Sequence, residues 1–276
     1  MVAGQNDAYD PRETSGKLSA ILVAALTDWR PVARGSALHS FISEPLMSEI
    51  WQLSATELAQ RIARRQLSSI EVVDAHLARI NTVNPTLNAV VRVLADEARA
   101  SAALADKRLA AGEMSGPLHG VPFTVKENID MSGLPTTWGV PALAQAVVPT
   151  DAPVVERMLA AGAIPIGRTN LPDMALRIHT VSSLHGLTRN PWNPHRTAGG
   201  SSGGEASALA SGMSPIGLGN DIGGSLRNPA NACGIASIRP SAAGPSGASP
   251  SLIHQWAFTR PLDGGHDGPR INHIAR

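Results

Sequence analysis

The chain has 276 residues, 43% of them hydrophobic and 16% charged, with a formal net charge of +1. It is long enough to bury one sizeable core, and too nearly neutral to recruit nucleic acid or a membrane surface through bulk charge. No apolar run approaches the ~20 residues of a membrane helix. Leu18 to Leu26 is apolar, but the long segment before it carries Asp7, Asp10 and Glu13, a poor fit to a cleaved signal peptide. The lone Cys233 cannot close an internal disulfide and reads as a small buried hydrophobe. The histidines show neither His-Glu-x-x-His nor His-x-x-x-His spacing, so no zinc site is expected. The composition is that of a cytoplasmic protein.

In chain order, Ser54-Ala-Thr-Glu57 and Ser68-Ser-Ile-Glu71 read as capping boxes that open two helices, the second with Val73, Leu77 and Ile80 on one stripe. A third helix is expected from about Ala95 to Ala111, stopped by Gly112. His119 marks a loop that enters the apolar, β-branched run Val121 to Val125, a buried strand with Lys126 at its end. Asp151-Ala-Pro153 opens a further helix that Gly162 closes, and Ile164 to Gly167 follows as a short buried strand. Ala206, Leu209 and Ala210 form a helical pattern, and Pro215 to Leu218 is again apolar. This alternation predicts an α/β fold with a mixed, largely parallel central sheet flanked by helices.

Two glycine-rich blocks stand out: Gly-Gly-Ser-Ser-Gly-Gly-Glu-Ala at 199–206 and Gly-Asn-Asp-Ile-Gly-Gly-Ser-Leu-Arg-Asn-Pro-Ala at 219–230. A phosphate cradle does not fit them, because no Gly-Lys-Ser or Gly-Lys-Thr follows the glycines. A serine that attacks a carbonyl needs a base within hydrogen-bond reach and donors facing the developing oxyanion. Lys126 can be that base if its amine is neutral. A free lysine titrates near ~10.4, and full burial lowers that value by as much as ~3 to 5. Glu127 need not touch the amine, since adjacent strand residues point to opposite faces.

The two blocks, together with Leu-Ser-Ala-Thr-Glu-Leu (53–58), Val-Asn-Pro-Thr-Leu-Asn-Ala-Val (83–90), Gly-Pro-Leu-His-Gly-Val-Pro-Phe-Thr-Val-Lys-Glu-Asn (116–128), Gly-Arg-Thr-Asn-Leu-Pro-Asp-Met (167–174) and Arg-Asn-Pro-Trp-Asn-Pro (189–194), resemble the amidase signature family. The resemblance implies hydrolysis of carboxylic amides by a Ser, cis-Ser, Lys triad without a cofactor or metal. Ser225 would be the nucleophile, Ser201 the bridging serine on a cis peptide bond and Lys126 the ultimate base, with Ser202 supporting the lysine. The backbone N–H groups of Ile222, Gly223, Gly224 and Ser225 would face the oxyanion, and Asp221 and Arg227 would hold the loop as an ion pair. The glycines at 199, 200, 203 and 204 suit backbone angles that other residues avoid. The implied partner is a small-molecule amide, with no nucleic acid or membrane and a homodimer as a possible assembly.

The resemblance begins near Leu53 and fades after Arg239-Pro240. Three segments follow: a non-homologous extension at 1–46, the site-bearing region at 47–240, and an unpatterned tail at 241–276 rich in Gly, Pro, Arg and His. Met47 reads as an alternative start, and the abrupt loss of pattern after Pro240 as a shifted reading frame. Family members are nearly twice this long, so an inactive truncated fragment or non-enzymatic remnant is one alternative reading. The glutamine-hydrolysing subunit of a tRNA amidotransferase is another.

Overall fold

The computed structural model describes residues 50–239 and the backbone of a strand at 254–259. The proposed N-terminal extension, Met47 and most of the tail lie outside the described residues. Helix α1 (Ala55–Ala63) starts at Ser54 and α2 (Ser69–Leu87) at Ser68, each with a complete capping box. The Asp106 carboxylate adds a second cap to α2 by accepting from the N–H groups of Ser69 at 2.6 Å and Ile70 at 3.1 Å. Helix α3 (Ala95–Ala110) ends before Gly112, whose φ of +83° turns the chain away. Helix α4 (Pro153–Ala160) starts on its proline and ends before Gly162, at φ +87°.

The sheet order is β1 (Val90–Val93), β3 (Ile164–Thr169), β2 (Pro122–Lys126), β6 (Ile216–Asp221), β8 (His254–Thr259) and β7 (Ala236–Ser237). The central trio β3, β2 and β6 is parallel, while β1 and β8 run against their neighbours. The sheet is therefore mixed, with most strands sharing one direction. A small hairpin, β4 (Val181–Ser182) with β5 (Gly186–Leu187), lies outside it. Strand β2 is buried along its whole length, as a strand paired on both sides and covered on both faces must be. Phe123, Val125 and Leu218 pack with Ile129 and Val155, and a second cluster joins α2 and α3 to Ile164 and Ile166 of β3.

Strand β8 corrects the reading of 241–276 as lacking strand pattern. His254 to Thr259 pairs with β6 residue by residue, from Asp221↔His254 to Ile216↔Thr259. Three of its six residues, Trp256, Phe258 and Thr259, are β-favouring types, but the run is short and isolated among glycines and prolines. Its partner lies far back in the sequence, where no local pattern points to it.

Helix α5 (Gly203–Ala210) is buried at every residue. It reaches the sheet because two glycines open it. A Cβ at Gly204 would collide with the backbone of Asn170 and Ala89, and one at Gly203 with the Thr180 hydroxyl. Only Gly199 of the four glycines at 199, 200, 203 and 204 has a positive φ, +80°. At 203 and 204 the requirement is close approach rather than left-handed backbone. Gly204→Ala should therefore lower stability by about 1 to 3 kcal/mol through overpacking, read as a fall in the urea midpoint with an unchanged m value.

Candidate active site

Strand β2 ends at Lys126, whose side chain is fully buried beneath the loop that precedes α5. Its Nζ donates to Ser201 Oγ and to Asn220 Oδ1, each at 2.6 Å. The Gly200–Ser201 peptide bond is cis. Burial pushes the lysine from its ordinary 10.5 down to about 7, against the opposing pull of Glu205 and Asp221. At neutral pH a substantial fraction of the amine is thus unprotonated, as a general base requires.

Glu127 turns away from the amine. Its carboxylate accepts from Thr137 Oγ1 at 2.8 Å and pairs with His185 Nε2 at 2.7 Å, tying β2 to the β4–β5 hairpin. Asn220, at the end of β6, extends the polar chain by donating from Nδ2 to Asn128 Oδ1 at 2.9 Å. Ser202 makes no hydrogen bond to the lysine among the described residues. Its hydroxyl donates to the Asn220 carbonyl at 3.4 Å, so the second lysine contact expected of Ser202 is made by the Asn220 side chain. The reason is positional, because Asn220 sits on the strand beside β2 whereas Ser202 already turns into α5.

Beneath the site, the fully buried Glu205 accepts from Thr124 Oγ1 and from Thr169 Oγ1, the latter at 2.6 Å. Burial raises this carboxyl from 4.5 to about 7, although both threonines and Lys126 favour its ionised form. Gly217 makes room for it, since a Cβ there would overlap Glu205 Oε1. Asn220 and Glu205 both lie within the glycine-rich blocks, but nothing local in the sequence shows that either faces the lysine.

Ser225 is half-buried on the loop after β6, between exposed Ile222 and Gly223 and buried Leu226. Asp221 organises this loop from a fully buried position. It accepts from the N–H of Gly224 at 2.7 Å and of Leu226 at 3.1 Å, and pairs with Arg227 Nε and Nη2 at 3.1 Å. Arg239 Nε lies 3.6 Å from Asp221 Oδ1. With these partners the Asp221 carboxyl is held down at about 2 despite its burial. Of the four candidate oxyanion donors, the N–H groups of Ile222, Gly223, Gly224 and Ser225, that of Gly224 is engaged by Asp221 in this structure. Among the described residues no hydrogen bond joins Ser225 Oγ to Ser201 Oγ. The two serine segments meet through the Ser202 N–H, which donates to the Ser225 carbonyl at 3.3 Å.

Cys233 and His119 lie apart from this cluster in structural roles. Cys233 is buried, with its thiol pushed up to about 12. His119 bridges the Ser115 N–H and the Ala105 carbonyl, both at 3.0 Å. Among the described residues there is no cluster of three metal-ligating side chains, and no helix is long and apolar enough to cross a membrane.

Residues 71–249 match the Amidase family model. The chain belongs to the amidase family. This amidase chain is 47% identical over 229 residues to the indoleacetamide hydrolase of Bradyrhizobium diazoefficiens, covering 82% of this chain and 43% of that protein. It is also 42% identical to a subunit of the glutamyl-tRNA(Gln) amidotransferase of Chloroflexus aurantiacus, over 70% of this chain and 40% of that protein. Among solved structures, fatty acid amide hydrolase superposes with a TM-score of 0.72 at 30% identity, covering 78% of this chain and 40% of that one. The 6-aminohexanoate cyclic dimer hydrolase, solved with its substrate, gives 0.68 at 33%, covering 77% and 44%. The chain spans less than half the length of these relatives.

The buried lysine has a signature in stability. In the unfolded chain Lys126 keeps its proton up to 10.5, whereas in the folded protein it releases it near 7, so stability should rise with pH between those values. Glu205 acts oppositely below that window: folded, it holds a proton up to about 7 rather than 4.5, so stability should fall as pH rises through that range. Urea midpoints measured across both windows should pass through a minimum near neutrality, and Lys126→Met should abolish the alkaline rise.

Proposed function

We propose that this amidase hydrolyses small carboxylic amides by acyl transfer to Ser225, with Ser201 bridging to Lys126. The observation that carries the reading is the fully buried Lys126 amine 2.6 Å from Ser201 Oγ, because an amine in that setting is available as a base at neutral pH. In the proposed cycle neutral Lys126 takes a proton from Ser201 as Ser201 takes one from Ser225, whose oxygen attacks the amide carbonyl. The oxyanion faces the N–H groups of Ile222, Gly223, Gly224 and Ser225. The relay returns its proton to the departing amine, and water then releases the acid from the acyl-serine. No step calls for a metal or organic cofactor, and in this reading residues 47–240 of a cytoplasmic protein are the N-terminal part of the amidase domain that carries the catalytic residues.

A stand-alone hydrolase is favoured over the amidotransferase component by the longer stretch of similarity to the indoleacetamide hydrolase, 82% of the chain against 70%, at higher identity. Indole-3-acetamide is accordingly the first substrate to assay, with glutamine as the competing choice. Ammonia released from glutamine but not from the indole amide would reverse the preference.

Ser225 should be labelled by a fluorophosphonate, with the adduct located by mass spectrometry and absent in Ser225→Ala. Lys126→Ala should slow that labelling by about 10²- to 10⁴-fold, the usual contribution of a general base. A soluble, folded chain whose Ser225 stays unlabelled would count against the acyl-transfer reading and for an inactive remnant.

A further inference from the structure

An amine that serves as a base must be oriented as well as neutral, and the residue that orients this one is visible in the polar chain beneath the serines. A neutral lysine has two N–H donors and one lone pair, and only the lone pair can take a proton from Ser201. Lys126 Nζ has two close partners at equal distance: Ser201 Oγ, a hydroxyl that can donate or accept, and Asn220 Oδ1, an amide oxygen that can only accept. The choice of amide end at Asn220 follows from its other contact, since Nδ2 donates to Asn128 Oδ1 at 2.9 Å. Asn220 and Asn128 are both buried, at 3% and 7% exposure, so water does not compete freely for these groups.

We propose that Asn220 is a positioning residue for the base: its side-chain oxygen, set by Asn128, claims one N–H of Lys126 and so turns the lone pair toward Ser201, without adding a charge that would keep the lysine protonated. The proposal rests on Lys126 acting as the base. An aspartate at 220 would have a similar shape and could hold the same N–H, but it would place a third carboxylate near an amine already influenced by Glu205 of α5 and Asp221 of β6. The other charged groups nearby lie elsewhere. Glu127 is engaged with Thr137 and His185, and Arg168 of β3 donates to the Ile129 carbonyl at 2.8 Å. An amide is thus the side chain that provides orientation and neutrality together.

Asn220→Asp tests this with little change of shape. Asn128 Nδ2 is buried and has no partner, so a flipped Asn128 amide can donate to the new carboxylate and preserve the chain of hydrogen bonds. The first readout is independent of catalysis: the pH titration of the Lys126 13Cε resonance in 13C-lysine-labelled full-length protein, assigned with Lys126→Met. The midpoint should move upward by about one pH unit or more in Asn220→Asp, the effect of an opposite charge within contact distance. The second readout is the rate of fluorophosphonate labelling at Ser225, which should be several-fold slower than wild type at pH 7 and converge with it at alkaline pH.

A uniform loss of labelling rate with an unmoved Lys126 midpoint would overturn the proposal, because a merely structural asparagine gives that pattern. A different result sinks the parent reading: if Lys126→Met labels with the wild-type pH profile, the lysine is not the base, whatever its titration shows. Should Asn220→Asp fail to fold, Asn128→Asp replaces it, with a smaller upward shift expected and an unmoved midpoint again counting against the proposal.

Discussion

The arrangement turns on one costly act, the withdrawal of a lysine amine from water at the end of a central strand. A charged ammonium in such a place is penalised by desolvation far more than a neutral amine, and the surroundings settle the balance rather than remove it. The two atoms that touch Nζ are uncharged oxygens, Ser201 Oγ and Asn220 Oδ1. The nearby carboxylates are occupied elsewhere, Glu205 by two threonine hydroxyls and Asp221 by two N–H groups of its own loop and by Arg227 and Arg239. Lys126 therefore has hydrogen-bond acceptors without a dedicated ion-pair partner, which keeps its titration near neutrality.

That environment dictates much of the local packing. Bringing Ser201 to the amine requires the loop before α5 to lie directly on the sheet, and the absence of side chains at 203 and 204 permits it. Accommodating Glu205 below the amine requires the neighbouring strand to give up a side chain, which it does at Gly217. The glycines are thus a consequence of the polar cluster as well as a device for bending the chain. A helix buried on every side would ordinarily be wholly apolar; α5 instead carries a carboxyl into the core, and Thr124 and Thr169 are placed on β2 and β3 to receive it.

These relations explain which parts were legible in the sequence. Lys126 was readable because an apolar, β-branched run leads directly to it, and strand alternation correctly turned Glu127 to another face, where it meets His185. The capping boxes and the glycines at helix ends are local chemistry and were equally plain. Asn220 and Glu205 were opaque because their meaning is tertiary: a polar residue at the end of Ile216-Gly-Leu-Gly-Asn signals nothing until the amine of another strand is seen against it. Strand β8 was missed for the same reason, since only its pairing with β6 gives that short segment its register. The second hydrogen-bond partner of the lysine, expected at Ser202, is Asn220, nearly twenty positions later on the adjacent strand.

The site divides into two parts of different character. Lys126, Ser201, Asn220 and Glu205 sit in the packed interior, where their geometry is fixed by the sheet and by α5. Ser225 and the N–H groups around it lie on a loop whose Ile222 is 63% exposed and whose conformation is held chiefly by the Asp221 carboxylate. Under the proposed roles, the base gains rigidity and exclusion of water from its burial, and the half-buried nucleophile stays open to substrate. The link between them is Asp221, which follows Asn220 directly in the chain: one strand end meets the lysine amine with one residue and holds the Ser225 loop with the next. A displacement of β6 along its axis would disturb both sets of contacts at once, and the parallel pairing of β6 with β2 resists such a displacement.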